Sequence, residues 1–103
     1  MIVHVLYTHS IPFKYECPLQ IGPAIYYPDF TIMHPKTCKI IYYEHFGMMD
    51  SQNYKQTCSQ KLNRYISNDI IPDINLITTY ETENHPLNFL VIEEKLRFMG
   101  LID

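Results

Sequence analysis

Two acids stand out in the stretch YYPDFTIMHPKTCKIIYYEH, residues 26–45. Asp29 follows Pro28 directly, and Glu44 comes near the end of an apolar and aromatic run. Both fall in segments that read as β-structure, where unpaired carboxylates repel each other and are costly to bury. A divalent cation shared between them removes that cost, and oxygen-only ligands favour Mg²⁺ or Mn²⁺. The plain structural alternative sends both acids to solvent at strand ends, or pairs them with Lys39 or Lys61.

The acids can cooperate only if the chain brings them to one face. Side chains alternate along a strand, so Asp29 shares a face with Tyr27 and Thr31, and Glu44 with Tyr42 and Ile40. AIYYPDFTIM (24–33) and CKIIYYEHF (38–46) read as the strands of an antiparallel hairpin, joined by the turn HPKT at 34–37. A turn of four or five residues pairs positions whose numbers sum to about 71 or 72, opposing Asp29 to Tyr42 or Tyr43. Pro28 is awkward inside a central strand and predicts an edge or a bulge.

The remaining elements follow from periodicity and punctuation. Residues 1–10 carry Ile2, Val5, Leu6 and His9 at helical spacing. FKYECPL (13–19) alternates as a strand, and QIGP (20–23) is a turn. Asp50 or Ser51 can cap a helix over about 51–67. Its apolar stripe is Tyr54, Cys58, Leu62 and Tyr65, with Lys61 in the middle. INLITTYE (74–81) is a further strand. Pro86 suits the first turn of a last helix, with Phe89, Ile92, Leu96 and Met99 on its inner face. The order α-β-β-β-α-β-α describes one α/β domain over residues 1–103, with a mixed sheet of about four strands.

Bulk properties narrow the function classes. The 103 residues carry a formal net charge of −3, so charge alone does not point to nucleic acid. Three scattered cysteines make neither a disulfide framework nor a zinc knuckle and fit a reducing cytoplasm. No apolar run reaches membrane-spanning length, and the opening residues do not read as a secretory signal. The three glycines are too scattered for a phosphate loop. The histidines form no metal motif: His34 and His85 precede prolines in turns, where exposure is expected, and the His45 ring should be packed or hydrogen-bonded on the face opposite Glu44. Glu16 reads as an edge-strand acid in water, and Met48 and Met49 as cover for the core.

The segments YYPDFTI, IIYYEHFGMMD, KLNRY and LITTYETENHPL, in this order, resemble the PD-(D/E)XK nuclease superfamily, whose fold is restriction-endonuclease-like. The likeness spans nearly the whole chain. It is to bacterial domains, sometimes attached to helicase-like proteins, with a "YPDF…YWEHFGMMD…Y…K…Y" pattern. The resemblance implies an α-β-β-β-α-β core with a mixed four-stranded sheet, here followed by a C-terminal helix. It implies Mg²⁺-dependent or Mn²⁺-dependent hydrolysis of DNA phosphodiester bonds. Asp29 and Glu44 would be metal ligands, with the main-chain carbonyl of His45 as a third. The family's lysine should follow on the face of Glu44, but Phe46 stands there. Some members carry that lysine on a neighbouring element, and Lys61 takes the role here. Residues 1–10 lack the acid that the family often has on its first helix, so the helix reads as clipped at its start. Phosphate contacts would come from Lys36, Lys39, Lys55 and Arg64. So small a basic set implies weak DNA binding by the chain alone, with a partner protein or a homo-oligomer supplying the rest. The alternative reading is a non-catalytic remnant of the nuclease fold that binds nucleic acid or oligomerises.

Overall fold

The computed structural model describes residues 1–103. In chain order its elements are α1 (Ile2–Thr8), β1 (Phe13–Tyr15), β2 (Leu19–Ile21), β3 (Ala24–Tyr26), β4 (Phe30–Met33), β5 (Ile40–Phe46), α2 (Gln52–Ile66), β6 (Leu76–Tyr80) and α3 (Phe89–Phe98). Four strands form one mixed sheet in the order β1-β4-β5-β6, with β1, β4 and β5 antiparallel and β6 parallel to β5. The parallel pair needs a crossover, and α2 supplies it.

Helices cover both faces of this sheet. Alternation along β5 divides its side chains between two cores. Ile41 and Tyr43 join Phe30, Ile32 and Ile77 beneath α1 and α3, with Leu6, Ile92 and Leu96 from the helices. Tyr42 faces the other way, toward a smaller cluster of Ile21, Tyr65, Ile70 and Leu76 beneath α2. Glu44 and Phe46 share the parity of Tyr42, so an acid is carried into the layer between the sheet and α2.

Two expected strands are each cut in half. The stretch 13–19 stops at Tyr15, because Glu16 takes a left-handed φ of +49° and Pro18 follows. The stretch 24–33 stops at Tyr26 and resumes at Phe30, because Pro28 interrupts it. Leu19 from the first stretch, continued through Gln20 and Ile21 as β2, pairs with the freed half of the second, β3, as a separate two-stranded ribbon. Gly22, at φ +58°, opens its turn, and Pro23 with its fixed negative φ follows, as a type II′ turn requires. Gln20 and Ile21 therefore belong to a strand rather than to the turn.

The hairpin register also differs from expectation. The connection between β4 and β5 runs from residue 34 to 39, and Cys38 adopts a φ of +60° within it. The His34 carbonyl accepts from the Cys38 amide, and the His34 amide donates to the Lys39 carbonyl, each at 2.8 Å. This longer loop pairs Phe30 with Tyr43 and Ile32 with Ile41. Continued by one residue, that register sets Asp29 opposite Glu44 rather than Tyr42 or Tyr43.

Capping explains the helix limits. Ser51 caps α2 by accepting from the Tyr54 amide at 3.2 Å. Asn88, not Pro86, sets the start of α3 by accepting from the Val91 amide. Phe89 consequently lies outside the inner stripe and is exposed, whereas Ile92 and Leu96 are fully buried. β6 begins at Leu76, because Asp73 turns the chain at φ +68° and leaves Ile74 exposed. Met48 is exposed and does not cover the core. His34 is buried rather than exposed, since its Nδ1 accepts from the Lys36 amide inside the turn. No helix is long and apolar enough to cross a membrane.

Candidate metal and phosphodiester site

Asp29 owes its position to the break at Pro28. It stands just before β4, past the last pair of the ladder, and its carbonyl accepts from the Glu16 amide at 3.1 Å. With no β4 residue opposite it, the amide of His45 donates instead to Oδ2 of Asp29, at 2.7 Å. The main-chain groups of residues 42 and 46 bond toward β6, to Asn75 and Glu81. By alternation the N–H and C=O of His45 both point toward β4 and the Asp29 side. The expected carbonyl donor therefore lies on the edge where Asp29 sits.

Glu44 comes from the interior of β5 and is almost completely buried. Its Oε1 accepts from the Tyr65 hydroxyl and from the Lys61 ammonium, both at 2.8 Å. Lys61 and Tyr65 are one helical turn apart on α2, which is why they converge on one oxygen. The Lys61 ammonium also lies 5.9 Å from the centre of the Tyr65 ring. The plain structural alternative is thus met in part: Glu44 pairs with Lys61, and not with Lys39, which lies at the far end of the hairpin.

Asp29, Glu44, His45, Phe46, Cys58 and Lys61 line one cavity of about 170 Å³. Both acids and the lysine therefore meet, as the residue pattern predicts. Phe46 contributes an apolar wall where the resemblance calls for a lysine, and its ring stacks on Tyr80 at 5.5 Å. Glu16 does not reach the cavity. It is exposed beyond β1, and only its amide touches Asp29.

The electrostatics are those of a buried acid paired with one cation, with a second acid nearby. Burial raises the Glu44 carboxyl above its ordinary range, Lys61 and Tyr65 oppose that rise, and the charge of Asp29 adds to it. Tyr65 is raised as well, first by burial and then by the neighbouring Glu44. Its phenol thus stays protonated and keeps donating to the carboxylate. Burial likewise raises the Cys58 thiol, which fits a packed residue rather than a nucleophile.

The donor set suits a small hard cation. One oxygen of each acid is engaged, Oδ2 of Asp29 and Oε1 of Glu44. No protein donor meets the second oxygens, and no sealed polar atom in the molecule lacks a partner. Those second oxygens therefore open to the cavity or to solvent. No group of three or more acid, histidine or cysteine side chains forms a site anywhere in the chain. Two carboxylates and a carbonyl match Mg²⁺, which keeps several waters and needs few protein ligands, better than Zn²⁺.

Several functional neighbours are invisible to sequence patterning. The His45 ring lies on the opposite face, as expected, with Nδ1 2.8 Å from Thr79 Oγ1 and Nε2 2.9 Å from Glu81 Oε1. Thr79 Oγ1 is in turn 3.0 Å from the Tyr43 hydroxyl. Burial pushes the Tyr43 phenol up to about 12, and the bond from His45 holds the Glu81 carboxyl below its usual value. Tyr54 receives the Gly47 amide on its hydroxyl at 3.1 Å and closes the cavity near the start of α2. Of these, Tyr54 stood in the expected apolar stripe of α2 together with Tyr65, but the stripe signals nothing about either hydroxyl. Lys36 and Lys39 are poor phosphate contacts for this site, since five residues of strand, about 17 Å, separate Lys39 from Glu44. Comparison with protein-family models, curated proteins and solved structures returns no match to this chain.

Proposed function

We propose that this cavity is the centre of a Mg²⁺-dependent or Mn²⁺-dependent DNA endonuclease-like domain of the PD-(D/E)XK type. The single observation that carries the reading is the meeting of Asp29, Glu44 and the Lys61 ammonium in one cavity, beside the edge of the His45 peptide that bonds Asp29. The order of elements, with the β2–β3 ribbon as an insertion, is compatible with a restriction-endonuclease-like core.

Asp29, Glu44 and the His45 carbonyl would hold the ion. When bound, the ion supplies Lewis acidity toward a phosphate oxygen and makes water more acidic. Lys61 leans on Glu44 and can orient the attacking water and offset phosphate charge. The Tyr65 phenol and the His45 amide fix the two carboxylates, so neither must reorganise when substrate arrives. Water adds at phosphorus, one P–O bond breaks, and the products are a phosphate end and a hydroxyl end with no change in oxidation state. The net charge of −3 implies weak binding by the isolated chain, with a helicase-like or other protein partner, or a second copy, adding affinity.

Phe46 favours a second reading. A buried ring at the lysine position suits a remnant that binds nucleic acid or oligomerises without cutting. Nicking of supercoiled plasmid in Mn²⁺ decides between them. The nuclease reading expects cutting by wild type that is lost in Asp29→Asn and Lys61→Met. Intact plasmid with wild type, under conditions where Mn²⁺ binds, supports the remnant.

A further inference from the structure

We propose that the groove between α2 and the β2–β3 ribbon is the track of a single, unpaired nucleic-acid strand that leads into the acidic cavity. The inference rests on the phosphodiester reading only for what happens at the end of the track. The groove itself stands on separate observations.

The first is continuity. Lys61 and Thr57 line both the acidic cavity and a wider groove of about 600 Å³. A chain lying in the groove therefore passes directly to Asp29 and Glu44. The second is charge. The chain as a whole is acidic, yet the groove contains Arg64, with Lys61 leaning on Glu44 at its cavity end, and no aspartate or glutamate of its own. The polar residues Thr57, Gln60, Asn63 and Ser67 complete its α2 wall, recurring at three-residue and four-residue steps along one side of the helix. They offer hydrogen-bonding groups at each turn, as a sugar–phosphate backbone requires.

The third is an aromatic platform. Tyr26 is the groove's one hydrophobic residue and forms the wall opposite α2. Its ring is braced by Tyr65, edge to face at 5.8 Å, and remains partly exposed. A braced ring beside a cationic wall is how proteins seat an unpaired base next to its phosphate. A duplex offers no free base face to such a ring.

The fourth is asymmetry about the cavity. Beyond Gly47 the neighbouring pocket contains Asp50, Glu81 and Glu83 and no cation. Phosphates are attracted on the α2 flank and repelled on this one. A duplex carries charge on two strands and would have to lie across both flanks, whereas one strand can occupy the cationic flank alone.

The test is fluorescence anisotropy with a 5′-labelled unpaired oligothymidine and a blunt duplex of equal length, at low salt with Ca²⁺. The unpaired strand should bind at least about ten-fold more tightly. Arg64→Ala should weaken it and lower the salt dependence by about one counterion. Tyr26→Ala should weaken it by about five-fold or more with the salt dependence unchanged, and Tyr26→Phe should bind like wild type. Arg64 is exposed, so its variant keeps the fold, and circular dichroism checks Tyr26→Ala. Equal or tighter duplex binding overturns the proposal, as does unpaired-strand binding that both groove variants leave intact. Cleavage is scored separately on the same oligonucleotides in Mn²⁺. Groove-dependent binding without Asp29-dependent cutting keeps the track and defeats the nuclease reading. Asp29-dependent cutting that ignores Arg64 and Tyr26 does the reverse.

Discussion

The His45 amide donates to the Asp29 carboxylate at 2.7 Å, so a peptide group, not a side chain, aims the first acid of the site. The ring of the same residue bonds Thr79 and Glu81 on the other face of the sheet. His45 thus links the cavity to a polar chain that runs from the buried Tyr43 and Thr79 hydroxyls through its own ring to Glu81 at the surface.

Breaking that chain should be felt in both places. Thr79→Val keeps the shape but leaves the Tyr43 hydroxyl without its partner at a fully buried position. We expect a loss of about 1–3 kcal/mol by urea denaturation, with most of it restored by Thr79→Ser. Mn²⁺ affinity should fall in the valine variant, because the peptide that holds Asp29 is less firmly placed.

Glu44 and Glu81 should give opposite pH signatures. The Glu44 carboxyl is raised in the fold, so the native state holds its proton more tightly than the unfolded chain does. Its charge therefore lowers stability above the folded pKa, and that penalty fades as pH falls toward the ordinary value of 4.5. Metal-free Glu44→Gln should be more stable than wild type at pH 7, with the gap closing on acidification. Glu81 is lowered by its bond to His45, so it contributes stability above its ordinary value and loses it as pH falls through the folded one. Glu81→Gln should fall short of wild type at pH 7 and draw level in acid. Thermal melts from about pH 2 to 8 measure both, the acid end reaching below the lowered Glu81 carboxyl; parallel curves for Glu44→Gln and wild type would exclude the burial penalty.

Lys61→Met should strand the Glu44 charge. The ammonium is partly solvent-exposed, so the cost is smaller than for a sealed pair, about 1–3 kcal/mol at neutral pH. Lowering the pH should recover it as Glu44 takes up a proton. Adding Glu44→Gln to Lys61→Met should recover it at pH 7, a coupling that a double-mutant cycle reads directly. Loss of stability that is indifferent to pH would assign the effect to helix packing instead.

Cation binding should release a proton. An ion between Asp29 and Glu44 favours the charged form of a carboxyl that burial holds high. Calorimetry in buffers of different ionisation enthalpy should show net proton release at pH values near the raised Glu44 pKa, and Mn²⁺ affinity that falls in acid. Asp29→Asn should weaken binding by at least about ten-fold.

What the sequence announces and what it hides differ in physical kind. The meeting of Asp29, Glu44 and Lys61 was legible in part. Strand alternation and a 100° helical step are local rules, but the register that faces Asp29 to Glu44 is set by the longer 34–39 connection and differs from the expected one. The cut at Pro28 was half legible: an edge or bulge was expected, but the separate ribbon depends on Gly22 and on what the freed half finds to pair with. The bond from Tyr65 to Glu44 lay hidden behind an apolar stripe, since a tyrosine packs with its ring and signals nothing about its hydroxyl. The chain from Tyr43 to Glu81 joins residues up to 36 positions apart and follows only from the β5–β6 register.

The left-handed residue at Cys38 has a consequence far from where it sits. It adds a step to the connection between β4 and β5, and that step decides which residue Asp29 faces. Deleting one residue there would slide the partners by a single position, and Asp29 would meet Tyr43, whose side chain projects to the opposite surface. The two acids would be separated by the thickness of the sheet without either being mutated. Loop length at 34–39 is therefore a spacer that sets the chemistry, and insertions or deletions in it should be less tolerated than most changes of residue type within it.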